Sequence, residues 1–388
     1  MNPAPKVPLA PLTTLGVGGP AAFSIRIERE ADIPSAVEWA AARGLPWMAL
    51  GGGSNLVVSD AGYAGLVLRI GLRGLRELAP GVLEAAAGEN WDAVVAYAVA
   101  LEWGGIECLS GIPGLAGATP VQNVGAYGQE LAEVVERVRA WDRTSETFVD
   151  LAPGSCGFGY RASRFNQLDR GRFLITAVRL RLRPGGAPGL RYPELRERLA
   201  GQASPPNAAT LTRPEQSGRA LPLSEIRPQP DPGEGVQKRA VAPTLADVRA
   251  AVLAIRRSKA MVLDPNDPES RSVGSFFKNP VVAAAIAGDL ERRCGAVPPR
   301  YPAADGQIKL SAAWLLEQAG FHKGFALPGS RARLSRRHVL AIVNDGGATA
   351  AEVLVLAHHI QALTAEKTCI RLELEPELVG FADGAAGR

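Results

Sequence analysis

Alternation of apolar and polar residues predicts the first elements of the chain. Residues 22–28 alternate in this way, which predicts a strand, and apolar positions at helical spacing predict a helix over 33–43 that ends before Gly44. An apolar run at 46–50 precedes three consecutive glycines, and a short apolar run at 56–58 follows them. We therefore expect the glycines to join two strands.

The rest of the chain contains further short strands and amphipathic helices. The predicted strands are 75–78, 82–87, 134–142, 146–150, 173–182, 339–343 and 372–379, and the predicted helices are 91–101, 245–259, 312–319 and 350–363. Residues 200–241 are rich in Pro, Gly and polar side chains, which predicts a flexible insertion without a catalytic role. Strands and helices mixed in this order predict an α+β fold.

Composition narrows the classes of function. At 388 residues the chain is long enough for two or three domains, and 46% hydrophobic with 21% charged residues is typical of a globular protein. A net charge of +4 gives little support for nucleic-acid binding but suits an anionic small molecule. The N-terminus lacks the apolar core of a signal peptide, and no apolar run reaches the ~20 residues of a membrane span. We therefore expect a cytoplasmic protein that does not bind membranes.

The cysteines and histidines do not follow a metal-binding pattern. The four cysteines lie far apart without a C-x-x-C pair, which favours reduced thiols in a cytoplasmic protein. His358 and His359 are adjacent in a predicted helix, so their side chains point about 100° apart and do not chelate one metal together. The sequence therefore predicts no metal site.

Three glycines at 51–53, followed by Ser54 and Asn55, form the first candidate ligand site. Glycine adopts positive φ and lets backbone N–H groups approach a ligand, and successive N–H groups in a turn bind anions such as a diphosphate. A dinucleotide-binding loop of the G-x-G-x-x-G type opens a helix, whereas this loop leads to a strand, which argues against a Rossmann fold. A glycine-rich hairpin without a ligand is the alternative.

A second glycine-rich segment extends from 108 to 130. Its glycines are at 111, 114, 117, 125 and 128. Apolar residues such as Ile112 and Val124 are unsuited to a solvated connection, so a ligand-lining role is favoured over a purely structural loop. Such a backbone of small residues would lie flat against a large planar or phosphorylated ligand.

Three polar residues are candidates for chemistry. Arg161 follows a Gly-Tyr turn and suits a bidentate clamp on a carboxylate, although a surface arginine is the ordinary alternative. Ser275 lies after a glycine and before two phenylalanines, where the alternative is a strand with an inward Phe pair. Glu377 follows a proline near the C-terminus. The residues alone leave these assignments open.

Taken in order, four clusters are similar to those of the UDP-N-acetylenolpyruvoylglucosamine reductase family. The clusters are 51–56, 111–128, 274–280 and 374–377, and the resemblance spans almost the whole chain except about 200–241. It implies an α+β fold with a two-part FAD-binding region of the vanillyl-alcohol-oxidase type and a C-terminal α+β substrate domain. The implied units are 1–70 and 71–190 for FAD, 191–243 for a tyrosine loop and the insertion, and 244–369 for substrate, with 370–388 packing back on the first unit.

The resemblance also implies roles for individual residues. Ser275 matches the family's proton donor and Glu377 its catalytic glutamate, and Arg161 is expected beside the flavin and the substrate carboxylate. The implied cofactor-binding residues are Gly51, Gly52, Gly53, Ser54, Asn55, Ser110, Gly111, Ile112, Pro113, Gly114, Gly117, Ala118, Gln122, Asn123, Gly125, Ala126, Tyr127 and Gly128. The implied substrate-binding residues are Tyr160, Tyr192, Lys259, Asn279, Lys309 and Gln318. Of these, Tyr192 resembles a mobile tyrosine that covers the nucleotide diphosphate in the longer subclass.

The implied reaction is the reduction of UDP-N-acetylglucosamine enolpyruvate to UDP-N-acetylmuramate in peptidoglycan precursor synthesis. The reductant is NADPH, the cofactor is non-covalent FAD, and the expected enzyme is a monomer. A FAD-dependent sugar or lactone oxidase is one alternative, but many of these tether FAD through a histidine near the glycine loops, and all four histidines here lie in the C-terminal half. A non-catalytic sugar-nucleotide binding module is a second alternative, and it leaves the pair of glycine loops unexplained.

Overall fold

The computed structural model describes residues 1–201 and 242–382. Most of the predicted insertion, residues 202–241, and the C-terminal residues 383–388 lie outside the described residues. The described residues form an α+β fold, as the sequence predicts, in three parts that meet at one large cavity.

The first part is a four-stranded sheet with one helix. Its elements are β1 Ala4–Pro8, β2 Pro20–Ile27, α1 Asp32–Ala41, β3 Trp47–Leu50, β4 Leu56–Val58 and β5 Tyr63–Ile70. The strand order is β1-β2-β5-β3, with β1 antiparallel to β2 and the other pairs parallel. In α1, Ile33, Ala36 and Ala40 are buried at helical spacing, so this face covers the sheet.

The second part is a five-stranded antiparallel sheet that packs against a helix. Its elements are β6 Leu75–Ala79, β7 Val82–Ala86, α2 Trp91–Ala100, β8 Trp103–Gly104, β9 Gly125–Ala126, β10 Gln129–Glu130, β11 Val135–Asp142, β12 Thr147–Leu151, β13 Phe173–Arg181, β14 Arg183–Pro184 and α3 Pro193–Gly201. The order in the sheet is β12-β11-β13-β7-β6. The Asn90 side chain caps α2 by accepting a hydrogen bond from the Ala93 N–H. Valines of α2 and of β11 and β13 then form one core.

The third part contains short strands and most of the helices. Its elements are α4 Leu245–Ser258, β15 Val281–Val282, α5 Ala284–Cys294, β16 Arg300–Pro302, β17 Ile308–Leu310, α6 Ala312–Gln318, β18 Ala332–Leu334, β19 Ile342–Asn344, α7 Ala350–Thr368 and β20 Glu377–Val379. Phe276 and Phe277 are both fully buried against α6 and α7, although the segment around them is not a strand. The same core includes Leu15, Val17 and Val57, so the first and third parts share their apolar interior.

Polar contacts also connect the third part to the first. Strand β20 pairs in parallel with β4. The Asp60 carboxylate accepts hydrogen bonds from the N–H groups of Ala350 and Ala351 at the start of α7, where a negative charge is favourable. The Thr14 hydroxyl donates to the Ser272 carbonyl at 2.6 Å. These contacts hold the segment before Ser275 against the first part.

Helix α4 packs differently from the prediction. Thr244 forms a capping box with Asp247, as its position before the helix indicates. However, the buried face of α4 contacts Cys108 of the second part and Leu195 of α3, so this helix, although it begins the third part along the chain, packs against the second part rather than in the C-terminal core. The helical spacing of apolar residues predicts that α4 has a buried face, but it does not predict which neighbour that face covers.

Candidate active site

A cavity of about 1460 Å³ lies where the three parts meet. Pockets that hold one drug-sized ligand are usually about 300–1,000 Å³, so this cavity has room for a cofactor and a substrate. Both glycine segments, the turn with Arg161, the segment with Ser275 and the C-terminal segment 371–378 contribute to its wall. The four clusters singled out in the sequence therefore meet in one place.

The first glycine loop joins β3 to β4, and its shape requires glycine. Gly53 has a φ of 60°, and a Cβ at this position would lie 2.2 Å from the carbonyl oxygen of Leu12. Among the described residues, no group accepts a hydrogen bond from the backbone N–H of Gly52, Gly53 or Ser54. These donors on the cavity wall are available to an anionic ligand.

The second glycine segment lies directly against the first. A Cβ on Gly52 would lie 2.8 Å from the Cα of Gly114, and a Cβ on Gly114 would lie 2.8 Å from the Ser54 hydroxyl. A side chain at either glycine would therefore push the two loops apart. The predicted cofactor residues that line the cavity are Gly51, Gly52, Gly53, Ser54, Asn55, Ile112, Pro113, Gly114, Ala118, Gln122, Gly125, Ala126, Tyr127 and Gly128.

Four predicted cofactor residues are not among the described residues that line the cavity. They are Ser110, Gly111, Gly117 and Asn123. The buried Ser110 hydroxyl donates to the Glu107 carbonyl at 2.6 Å, and the buried Asn123 amide donates to the Gly159 carbonyl at 3.0 Å. Ser110 and Asn123 therefore hold the segment through hydrogen bonds within the protein, and the cofactor-binding role expected for these four residues stays a prediction.

Arg161 contributes a guanidinium to the cavity wall from an unusual backbone conformation. Its φ of 52° lies in the left-handed region, which non-glycine residues rarely adopt. Its Nε lies 2.9 Å from a carboxylate oxygen of Glu375, and its Nη2 donates to the Gly125 carbonyl at 2.9 Å. A fixed guanidinium of this kind suits the carboxylate clamp that the sequence predicts.

Ser275 lies on the cavity wall at the edge of the C-terminal core. It follows Gly274, whose φ is 79°, and precedes the buried Phe276. The Phe276 N–H donates to the Leu340 carbonyl at 2.7 Å, which anchors the chain directly after the serine. The glycine turn and the buried phenylalanines therefore fix a hydroxyl at the cavity.

Glu377 also lines the cavity, but its carboxylate is at the solvent edge. Its side chain is 42% exposed and pairs with the exposed Arg170 at 3.0 Å. Its N–H donates to the Asn55 carbonyl, so the backbone is held against the first glycine loop. The glutamate that contacts Arg161 is Glu375, two residues earlier.

Three predicted substrate residues form one cluster. The Lys309 ammonium lies 4.7 Å from the centroid of the Tyr160 ring, and burial raises the pKa of Tyr160, a shift that Arg161 and Asn279 oppose. Burial lowers the pKa of Lys309, an effect that Arg161 reinforces and Glu130 opposes. A partly desolvated ammonium interacts strongly with an anion that enters the cavity.

Tyr192 and Lys259 lie on another part of the wall. The Tyr192 ring packs edge to face against Tyr127, with centroids 5.3 Å apart, and the Lys259 ammonium lies 3.0 Å from a Glu194 carboxylate oxygen. Gln318 is not among the described lining residues, and its expected contact with substrate stays a prediction. The cavity touches α6 at Ala313, and Gln318 lies roughly 7 Å further along the helix axis.

The cavity residues outside the predicted set include Glu375, Arg256 and His338. The Arg256 Nε is buried without a hydrogen-bond partner among the described residues, and burial lowers the pKa of its guanidinium. Burial, together with Lys259, Lys323 and Arg256, lowers the pKa of His338 to about 4. A signal for Glu375 is present in the sequence. It lies two residues before Glu377, and residues two apart in an extended segment project to the same side, so both glutamates were candidates for the cavity.

Comparisons with known proteins agree with this geometry. A family model described as UDP-N-acetylenolpyruvoylglucosamine reductase, C-terminal domain, matches residues 266–379, and one described as FAD binding domain matches residues 21–151. A UDP-N-acetylenolpyruvoylglucosamine reductase from Nocardia farcinica is 46% identical over 380 residues, which cover 96% of this chain and 89% of that protein. The chain belongs to the UDP-N-acetylenolpyruvoylglucosamine reductase family. The resemblance noted from the motifs is confirmed.

Two further comparisons support membership of this reductase family over the full length. A UDP-N-acetylenolpyruvoylglucosamine reductase from Saccharopolyspora erythraea is 44% identical over 386 residues, which cover 96% of this chain and 95% of that protein. The crystal structure of UDP-N-acetylenolpyruvylglucosamine reductase from Thermus caldophilus matches with a TM-score of 0.62 and 25% identity, covering 98% of this chain and 99% of that chain. The predicted fold class is confirmed.

The cavity fits the FAD that the matched FAD-binding domain implies. Unpartnered N–H donors at Gly52, Gly53 and Ser54 and two glycine loops in contact lie on its wall, and Arg256 lines the same cavity. Such donors suit a diphosphate, and the glycines leave room for a planar ring. Within the described ranges, no group of three His, Cys, Asp or Glu side chains is arranged to hold a metal ion. No helix in those ranges is both long and apolar enough to cross a bilayer.

Proposed function

We propose that this chain catalyses the NADPH-dependent, FAD-mediated reduction of UDP-N-acetylglucosamine enolpyruvate to UDP-N-acetylmuramate. One observation carries the proposal: in a member of this family, a single cavity is lined by both glycine loops, the Arg161–Glu375 pair and Ser275. When bound, FAD supplies the hydride-transfer chemistry that amino-acid side chains lack. The loop N–H groups at 51–55 and Arg256 would hold its diphosphate.

The side chains on the cavity wall would handle the charge and the proton. Hydride addition to the terminal carbon of the enol ether moves the π-electron pair toward Cα, and the negative charge is shared with the adjacent carboxylate. Arg161 would stabilise this charge through hydrogen bonds that strengthen as the charge develops, while Glu377, which matches the family's catalytic glutamate, would act from the edge of the cavity where it pairs with Arg170. Ser275 would then donate its hydroxyl proton to Cα as a general acid. A serine hydroxyl is a weak acid, so its placement by Gly274 and Phe276 is essential.

The substrate would extend from this reaction centre along two groups of residues. Tyr160, Asn279 and Lys309 would contact the part nearest to Arg161, and Lys259 with Tyr192 would contact the nucleotide diphosphate. We infer that the enzyme acts as a monomer, because all of these groups come from one chain, and we propose a cytoplasmic location, as expected from the sequence. The inferred units are the FAD-binding parts 1–70 and 71–190 and a substrate part within 266–379, with α4 assigned to the FAD side.

The proposal is tested by NADPH oxidation with and without UDP-N-acetylglucosamine enolpyruvate. We expect the purified protein to be yellow, to release its colour on denaturation, and to oxidise NADPH rapidly only when the enolpyruvyl nucleotide is present. If NADPH oxidation were rapid, required oxygen and had the same rate with and without the enolpyruvyl nucleotide, the result would instead support an oxidase. A colourless protein that takes up no FAD would overturn the proposal. The molar mass of the holoenzyme, measured by light scattering, tests whether it is a monomer.

A further inference from the structure

Glu375 connects the segments that build the cavity. Its backbone carbonyl accepts hydrogen bonds from the side-chain amides of Asn55 and Gln122, each at 3.2 Å. Its N–H donates to the carbonyl of Phe276, the residue after Ser275, at 3.0 Å. Its carboxylate contacts Arg161 at 2.9 Å. Both glycine loops, the serine segment and the arginine turn are therefore connected through one residue.

The contact between Glu375 and Arg161 is shielded from water. The exposed fractions of the two side chains are 15% for Glu375 and 23% for Arg161. Burial raises the pKa of Glu375, and the charge and hydrogen bond of Arg161 oppose that shift. A charge pair in such surroundings is ordered more strongly than an exposed pair, because loss of one partner leaves the other charge buried and uncompensated.

The contacts of Arg161 restrict how its guanidinium is oriented. The Nε is directed to Glu375, the Nη2 to the Gly125 carbonyl, and the guanidinium lies 5.5 Å from the Tyr160 ring centroid. A guanidinium has five N–H donors, so these two acceptors leave the others for a ligand. A Cβ at position 125 would lie 3.2 Å from the Arg161 Nη1, so Gly125 also makes space for this orientation.

We propose that Glu375 is the positioning residue for Arg161 in the reduction, an inference that rests on the proposed function. Glu375 holds the Nε edge of the guanidinium and thereby directs the remaining N–H donors toward the substrate carboxylate. Glu377 is unsuited to this task, because its carboxylate is at the solvent edge and contacts Arg170. The two glutamates therefore have separate roles.

The test measures each half of the reaction separately in the FAD-loaded full chain. With Glu375→Gln, NADPH should reduce the flavin within about two-fold of the wild-type rate, while reoxidation by the enolpyruvyl nucleotide should slow about 10–100-fold. The matched control is Glu84→Gln, because Glu84 is also paired with arginine and is 12% exposed but lies on β7 away from the cavity. We expect the control to keep both rates.

A double variant distinguishes positioning from a general structural effect. If Glu375 acts through Arg161, adding Glu375→Gln to Arg161→Lys should slow reoxidation no further than Arg161→Lys alone. Additive losses, or a Glu375→Gln enzyme that matches the wild type in reoxidation, would overturn the inference. A Glu375→Gln variant that loses FAD and melting temperature while both half-reactions fall equally would also overturn it. A wild-type enzyme that does not reduce the nucleotide would refute the proposed function instead.

Discussion

Two walls of the cavity are built in opposite ways. The glycine wall comprises the cavity-lining residues within 51–55 and 112–128, and its shape comes from backbone and from missing side chains. The ionic wall comprises Arg161, Lys259, Ser275, Lys309, Glu375 and Glu377, whose side chains are placed by polar contacts or by a buried neighbour. A substitution in the glycine wall should therefore change which ligand fits, whereas one in the ionic wall should change what happens to a bound ligand.

The largest expected effect comes from placing a side chain in the glycine wall. In Gly52→Val the Cβ would lie 2.8 Å from the Gly114 Cα, and a backbone atom does not move aside as a flexible side chain does. The two loops must separate, and we expect the FAD content per chain to fall at least about ten-fold, with lower thermal stability from overpacking. The ratio of flavin to protein absorbance measures the loss.

Gly154→Val is the matched control for that variant. Gly154 is exposed, and a Cβ there would have no atom within 4 Å. We expect it to keep full FAD content and activity. A Gly52→Val enzyme that retained FAD as well as this control would mean that the contact between the loops does not define the cofactor site.

The next largest effect tests the chemistry of the ionic wall. Ser275→Ala should bind FAD and allow NADPH to reduce it, because the hydroxyl is not part of the glycine wall. Reoxidation by the enolpyruvyl nucleotide should slow about 10²–10⁴-fold, the range in which a positioned general acid contributes. Rapid-mixing measurements of flavin absorbance separate the two steps. Normal turnover of this variant would remove Ser275 from the mechanism.

The fold elements were largely predictable where periodicity was regular. The strand-to-strand connection at 51–53, the capping box at Thr244 and the start of α7 all follow the pattern of the residues. Helices α3 and α5 were not predicted. The neighbour of α4 was not predicted either, because apolar spacing reports a buried face but not its partner. The end of α7 lies beyond the predicted residue 363, since Thr364 and Thr368 are buried despite their polarity.

The site was predictable in its motifs but not in its pairings. Resemblance brought Arg161, Ser275 and Glu377 together, and all three do line one cavity. Which glutamate contacts the arginine depends on side-chain packing across segments 214 residues apart, and no local pattern encodes that choice. Ser110 and Asn123 are small polar residues like their cavity-lining neighbours, so the sequence does not separate the two groups. In the structure both side chains donate hydrogen bonds to backbone carbonyls of the protein.

A smaller effect tests the cost of concentrating positive charge near the ionic wall. Burial and the neighbouring cations lower the pKa of His338 to about 4, below the unfolded value near 6.5. The unfolded chain therefore binds a proton that the folded chain excludes, so stability falls as pH drops from about 6.5 toward 4. In His338→Gln, the loss of unfolding free energy between pH 7 and pH 5 should be smaller by about 1–2 kcal/mol. Denaturant titrations of both proteins test this, and equal pH slopes would contradict it.

The smallest effect concerns the ion pair of Glu194 with Lys259. Both side chains are partly exposed, 44% and 31%, so the pair is worth roughly 0.2–1 kcal/mol. If a nucleotide diphosphate must take Lys259 from Glu194, then Glu194→Gln should lower the KM of the enolpyruvyl nucleotide by about two- to five-fold and leave kcat unchanged. Glu197→Gln, an exposed change on the same helix, should not alter KM. High salt should remove the difference, because screening weakens the exposed pair. An unchanged KM in Glu194→Gln at low salt would mean that the substrate does not compete with Glu194 for the Lys259 ammonium. Lys259 would then have no role in binding the nucleotide diphosphate.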